Sequence, residues 1–235
     1  MSKHSERPTI IGIDADDTLW QSEHFFKLTE TYFKELLADH ADPLELGAKL
    51  LATERRNLQF YGYGIKGFML SMIDTAIDVT KGRVPADVIR KILSTGRDML
   101  SHPVVPLPDV RETLELLSKD FRLVLITKGD LFDQERKLAA SGLGELFHAI
   151  EIVSDKTSQT YIRIFNQHGK GSTRAAMVGN SLKSDIVPAL DAGSWAIFIP
   201  HELTWEHEHV DAPKDHSRFK QIKSFGGLYE AIAEI

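Results

Sequence analysis

Residues 9–19 read TIIGIDADDTL, a short apolar run that stops at three carboxylates. Thr9–Ile13 is rich in β-branched side chains and shows no polar face. It predicts a strand buried on both sides, as in a parallel sheet. Asp14, Asp16 and Asp17 place charge where that strand leaves the core.

Runs of the same character recur downstream, at Arg122–Ile126 (RLVLI), Ala149–Val153 (AIEIV), Ala175–Val178 (AAMV) and Trp195–Ile199 (WAIFI). Helical stretches lie between them, at Val110–Lys119, Leu131–Ser141, Tyr161–His168 and Ser184–Ala192. Strands alternating with helices predict an α/β fold, a parallel sheet with helices on both faces. From Ser22 to Met99 the pattern is helical throughout. Phe25, Leu28, Tyr32 and Leu36 recur at helical spacing, as do Met69, Met72, Ile73 and Ala76, then Val88, Ile89, Ile92 and Leu93. Pro43 and Pro85 suit helix starts. The expected organisation is a core of residues 1–20 and 102–235, with an all-helical insertion of residues 21–101.

Composition narrows the function classes. The 235 residues carry 28 Lys+Arg against 34 Asp+Glu, a formal net charge of −6. An acidic balance argues against an unspecific nucleic-acid binder, which needs a basic face. The chain has no cysteine, which excludes disulfides, thiolate-held metals and a thiol nucleophile. No apolar run approaches the ~18 residues of a membrane span. The start, MSKHSERPTI, shows no apolar targeting segment, so a cytoplasmic location is expected.

Four polar sites follow strand ends: Asp14–Thr18, Thr127–Lys128, Lys156, and Gly179–Asn180–Ser181 with Asp185. In an open parallel sheet such positions converge on one edge, where ligands bind. Asp14, Asp16 and Asp185 make an oxygen-rich site suited to Mg²⁺. A threonine hydroxyl and a lysine ammonium suit phosphate oxygens.

On these residues the chain resembles the haloacid dehalogenase superfamily. The likeness rests on DADDTL (14–19), the threonine of LITKGD (125–130), Lys156, and GNSLKSD (179–185), in order over essentially the whole chain. The resemblance implies a Rossmann-like core, a helical cap inserted after the first motif, Mg²⁺ dependence and an aspartyl-phosphate intermediate. The family's dehalogenase branch lacks the second carboxylate of the first motif. Asp16 therefore points to the phosphatase branch. The roles implied are Asp14 as nucleophile, Asp16 as acid and base, Thr127 on a phosphoryl oxygen and Lys156 neutralising charge. The implied metal ligands are Asp14, the backbone oxygen of Asp16, and Asp185. The fourth motif usually begins Gly-Asp, but here it is Gly179–Asn180, so Asn180 offers a neutral oxygen or serves only the turn. The expected substrate is a small phosphorylated metabolite, since a closing cap excludes large partners. Lys128, Lys66, Tyr63 and Arg55 are candidate substrate contacts, and the protein is expected as a monomer or homodimer. A phosphomutase, a haloacid dehalogenase and a non-catalytic binding module are the alternatives.

Other motifs are set aside on context. Gly62–Gly67 matches G-x-G-x-x-G, but it lies between helical stretches and not after a strand, so a dinucleotide site is rejected. His201–His209 is dense in possible ligands but lacks the H-E-x-x-H spacing, so it reads as a polar loop. Asp17 reads as a turn or cap residue.

Overall fold

A computed structural model describes residues 7–203 and 210–235. Strand β1 (Ile10–Ile13) leads through a turn into α1 (Glu23–Leu36), α2 (Pro43–Tyr61), α3 (Ile65–Val79) and α4 (Ala86–Ser101). The chain then alternates through α5 (Val110–Asp120), β2 (Arg122–Lys128), α6 (Leu131–Ser141), β3 (Ala149–Val153) and α7 (Ser158–His168). It ends in β4 (Ala175–Gly179), α8 (Val187–Asp191), β5 (Trp195–Phe198), β6 (Phe219–Gln221) and α9 (Leu228–Ala233). Among the described residues no helix is long and apolar enough to cross a membrane.

The six strands form one parallel sheet in the order β3-β2-β1-β4-β5-β6. Its alternation fills two layers. Ile11, Ile13, Leu123, Leu125 and Val178 pack with Leu114 and Leu117 of α5 and Leu228 and Ile232 of α9. Ile10, Val124, Ile126 and Met177 pack on the other face with Ile164 and Phe165 of α7 and Ala189 of α8. Burial on both faces explains why β1, β4 and the middle of β2 read as unbroken apolar runs.

Strand β1 is where the topology turns. Ile13 pairs with Leu125 of β2 on one side and Val178 of β4 on the other. The chain builds outward from β1 through β2 and β3, then returns to place β4 on its opposite edge. Loops diverge at such a point and leave a crevice beyond the carboxyl ends of the strands. Asp14 enters that crevice, its backbone N–H still tied to the Val178 carbonyl at 2.9 Å.

The chain divides into two compact units, residues 1–23, 104–128 and 136–235, and residues 24–103 with 129–135. The sheet belongs to the first. The second has its own core, which includes Phe33, Leu46, Phe68, Met72, Ile92 and Met99.

Three local features depart from the sequence reading. Strand β2 runs to Lys128, so Thr127 and Lys128 are its last residues and do not follow it. The stretch expected as one helix over 184–192 is a π-helical turn, Leu182–Ile186, followed by the short α8. Pro188 has no N–H to donate to the Ser184 carbonyl. That carbonyl instead accepts from the Tyr161 hydroxyl at 2.8 Å. Strand β6 and helix α9 were not anticipated. Phe219–Gln221 is three residues, too short to show a period.

Candidate active site

Lys156 lies three residues beyond β3, and its position is fixed locally. Its N–H donates to Asp155 Oδ1 at 2.8 Å, and Thr157 caps α7 by accepting from Thr160 N at 3.2 Å. The buried ammonium reaches two carboxylates. It donates to Asp14 Oδ1 and, at 2.7 Å, to Asp185 Oδ1. Asp14, Lys156 and Asp185 are 7%, 4% and 1% exposed, so all three charges are held largely away from water.

Each carboxylate is oriented a second time. Thr18 Oγ1 donates to Asp14 Oδ2 at 3.0 Å. Ser181 N donates to Asp185 Oδ2 at 3.0 Å, while the Ser181 carbonyl accepts from Asp185 N at 2.9 Å. The Ser181 hydroxyl accepts from Ser184 N at 2.9 Å, closing the π-helical turn. Gly179 makes the close approach possible, because a Cβ there would stand 2.2 Å from Asp185 Oδ2.

Asn180 completes this edge. One end of its amide lies 3.2 Å from Asp14 Oδ2, the Asp16 carbonyl oxygen and Thr18 Oγ1. With nitrogen at that end, the amide donates to all three. With oxygen there, it accepts from Thr18 and faces two further oxygens. Three oxygens, from Asp14, Asp16 and Thr18, therefore face this end of the amide.

The Asp16 carboxylate, close enough for its charge to act on Asp14, is held by other donors. Lys137 Nζ, from α6, donates to both its oxygens at 2.8 and 3.0 Å, and Trp20 Nε1 donates to Oδ1 at 2.8 Å. Asp17 has positive φ, 58°, and its carboxylate caps the start of α1 by accepting from Ser22 N at 2.8 Å and Glu23 N at 3.0 Å. Thr127 is buried near the end of β2. Lys128 Nζ donates to Ser184 Oγ at 2.7 Å. Asp14, Asp16, Asn180, Lys156 and Asp185 thus form one connected set, and Lys128 joins it through Ser184.

The other candidates lie in the second unit. Lys66 pairs with Asp130 at 2.9 Å and sits 5.7 Å from the Phe132 ring centroid. Tyr63 lies in the α2–α3 connection, where Gly62 and Gly64 take φ of 67° and 108°. Arg55 is on α2. His201 Nε2 stands 3.7 Å from Asp17 Oδ1, and residues 204–209 of that loop lie outside the described residues.

Lys137 and Trp20 were missed by the sequence reading. A lysine within QERKL reads as a solvated helix face. Nothing in the sequence marks it, because the polar Gln134 and Ser141 are buried along with Lys137.

The electrostatics of the set are lopsided. One ammonium serves two buried carboxylates. Burial, and next the Asp185 charge, push the Asp14 carboxyl up to about 7, against the lowering effect of Lys156. Burial alone would lower the Lys156 ammonium, but Asp14 and Asp185 more than reverse that and raise it. The folded protein therefore binds more protons at Asp14 than the unfolded chain between about pH 4 and 7. Its contribution to stability falls as pH rises through that window. Asp14→Asn lacks this fall. In thermal unfolding with a chelator, the melting temperature of Asp14→Asn minus that of the unmodified protein should climb from pH 5 to 8 and then level. A constant difference would show that Asp14 titrates as an ordinary aspartate.

Comparison with known proteins bears on family and fold. The family profile of haloacid dehalogenase-like hydrolases matches residues 8–193. Glyceraldehyde 3-phosphate phosphatase of Methanothermobacter thermautotrophicus is 30% identical over 217 residues, 86% of this chain and 90% of its own. A haloacid dehalogenase-like family hydrolase from Xanthomonas campestris superposes with a TM-score of 0.88 at 39% identity, over 100% of this chain and 94% of its own. L-2-haloacid dehalogenase of Xanthobacter autotrophicus, with chloropropionic acid covalently bound, shares the fold at TM-score 0.63 and 15% identity, over 97% and 99% of the two chains. The profile match across most of the chain and the extent of the two closer likenesses establish that this protein belongs to the haloacid dehalogenase-like hydrolases.

Proposed function

We propose that the protein is a Mg²⁺-dependent phosphomonoester hydrolase that acts on a small phosphorylated metabolite through an aspartyl phosphate on Asp14. The observation that carries this reading is the buried Lys156 ammonium shared by Asp14 and Asp185, with Asp16 two residues further along the same loop. The name of the Methanothermobacter relative adds support for a triose phosphate as substrate. The Xanthobacter dehalogenase shows that the fold alone does not choose the reaction, and Asp16 and the charge balance favour phosphoryl transfer.

The donor set suits the metal. Among the described residues no group of three or more His, Asp or Glu side chains is placed to hold an ion. Mg²⁺ asks for less, taking one or two carboxylates and keeping several waters. Asp14 Oδ2, the Asp16 carbonyl and Asn180 would hold it, with Asp185 as the nearby second carboxylate. Bound there, it would offset the negative excess and draw in a phosphate dianion.

In the reaction a carboxylate oxygen of Asp14 bonds to phosphorus as the ester P–O bond breaks, and the departing alkoxide takes a proton from Asp16. The Asp16 carboxylate then takes a proton from water, and the resulting hydroxide displaces Asp14 from phosphorus. Inorganic phosphate leaves and the site is restored. Thr127 holds a phosphoryl oxygen, and Lys156 neutralises charge on Asp14 and the phosphoryl group. Lys128, Lys66, Tyr63 and Arg55 are assigned to the rest of the substrate, and a cytoplasmic location belongs to the same reading.

Phosphate release from D-glyceraldehyde 3-phosphate and a panel of sugar phosphates, nucleotides and phosphorylated acids tests the proposal. Release that requires Mg²⁺ is expected, with no halide release from 2-chloropropionate. Halide release would establish a dehalogenase, phosphate retained on the product a mutase, and no turnover a binding module.

The metal assignment has its own test. Asn180→Asp sets a second anion 3.2 Å from Asp14 Oδ2. It should lower thermal stability in chelator, increase the stabilisation by Mg²⁺ and reduce the half-saturating Mg²⁺ concentration. Asp185→Asn should raise the Mg²⁺ requirement. If neither variant moves it, the metal is not held at this edge.

A further inference from the structure

The pairing of Asp16 with Lys137 lies outside the motif residues. Lys137 stands 121 positions along the chain, on α6, and its side chain is only 11% exposed. Burying an ammonium is costly unless a partner compensates it. Here the ammonium meets the carboxylate edge-on, donating to both oxygens at 2.8 and 3.0 Å. Trp20, 1% exposed, donates its indole N–H to Oδ1 at 2.8 Å. The loop beneath is closed as well. Asp17 N donates to the Trp20 carbonyl at 2.7 Å, and Leu19 N to the Ala15 carbonyl at 2.7 Å. An aspartate on a loop has two free side-chain torsions, and donors from two directions fix both.

We propose that Lys137, with Trp20, is a positioning residue that holds the Asp16 carboxylate at the site of leaving-group protonation. The proposal rests on the acid role given to Asp16 above. Lys137 touches no reacting atom. It acts by keeping Asp16 in place, and displacing a catalytic group by about 1 Å costs on the order of 100-fold in rate.

The test compares kcat/KM for D-glyceraldehyde 3-phosphate and p-nitrophenyl phosphate with Mg²⁺ present. This parameter reads the first irreversible step, in which the leaving group departs. An alkoxide needs the proton and nitrophenolate does not. Lys137→Met should lose roughly 10- to 100-fold on the alkyl ester. Its loss on the aryl ester should be at least about tenfold smaller. Asp16→Asn should show the same selectivity, and the double variant should be no worse than Asp16→Asn, because both changes disable one group. Lys137→Arg, which returns paired donors to the carboxylate, should recover part of the alkyl-ester rate. Trp20→Phe removes only the other donor and gives a second reading if Lys137→Met fails to fold. It should show a smaller loss with the same selectivity.

The outcomes separate the two claims. Selective loss in Asp16→Asn, with even losses or a faster alkyl-ester rate in Lys137→Met, overturns the role of Lys137 and leaves that of Asp16. Even losses in Asp16→Asn, or no turnover of either ester by the unmodified protein, overturn the acid assignment and this inference with it.

Discussion

The site depends on a single ammonium between two carboxylates. Lys156 comes from beyond β3, Asp14 from the end of β1 and Asp185 from the turn after β4. The groups come from three distant parts of the sequence, and only the parallel sheet brings them together. Any one of the three charges, buried alone, would carry a desolvation cost of several kcal/mol. Together they are tolerable but unbalanced, with one negative charge left over. Burial, and next the Asp185 charge, hold the Asp14 carboxyl up at about 7. Beside it, the Asn180 amide meets Asp14 Oδ2 and the Asp16 carbonyl oxygen at 3.2 Å.

The fold serves this arrangement through register. Ile13 is level with both Leu125 and Val178, so the turn carrying Asp14 opens beside the end of β4. Gly179 then has to be small, because Asp185 packs where its side chain would be. Pro188 sits in the first turn of α8, and the preceding π-helical turn carries the buried Asp185. Local irregularity here positions Asp185.

Much of this was legible in the sequence because burial on both sheet faces leaves unbroken apolar runs, and the charges that end them stand out. Asp14, Lys156 and Asp185 stand out as candidates in that way, and the structure brings the three together. The capping role of Asp17 was visible in its place between a strand and a helix. The extent of β2 was not, since Thr127 and Lys128 are polar but still paired in the sheet. Lys137 was illegible for a different reason. It sits in an ordinary charged helix, and its partner is more than a hundred residues away. Helical periodicity reserves the inner face for apolar groups, whereas α6 buries Asp133, Gln134 and Lys137 and exposes Leu131 and Phe132. Contacts of this kind are set by tertiary structure alone.

The central claim is that Asp14 carries the phosphoryl group. Rapid acid quench during turnover of D-glyceraldehyde 3-phosphate with Mg²⁺, followed by peptide mass mapping, tests it most directly. The account predicts a transient phosphoryl adduct on the peptide containing Asp14 that is labile to hydroxylamine and absent from Asp14→Asn. Turnover without any such adduct, or an adduct on another residue, would contradict it.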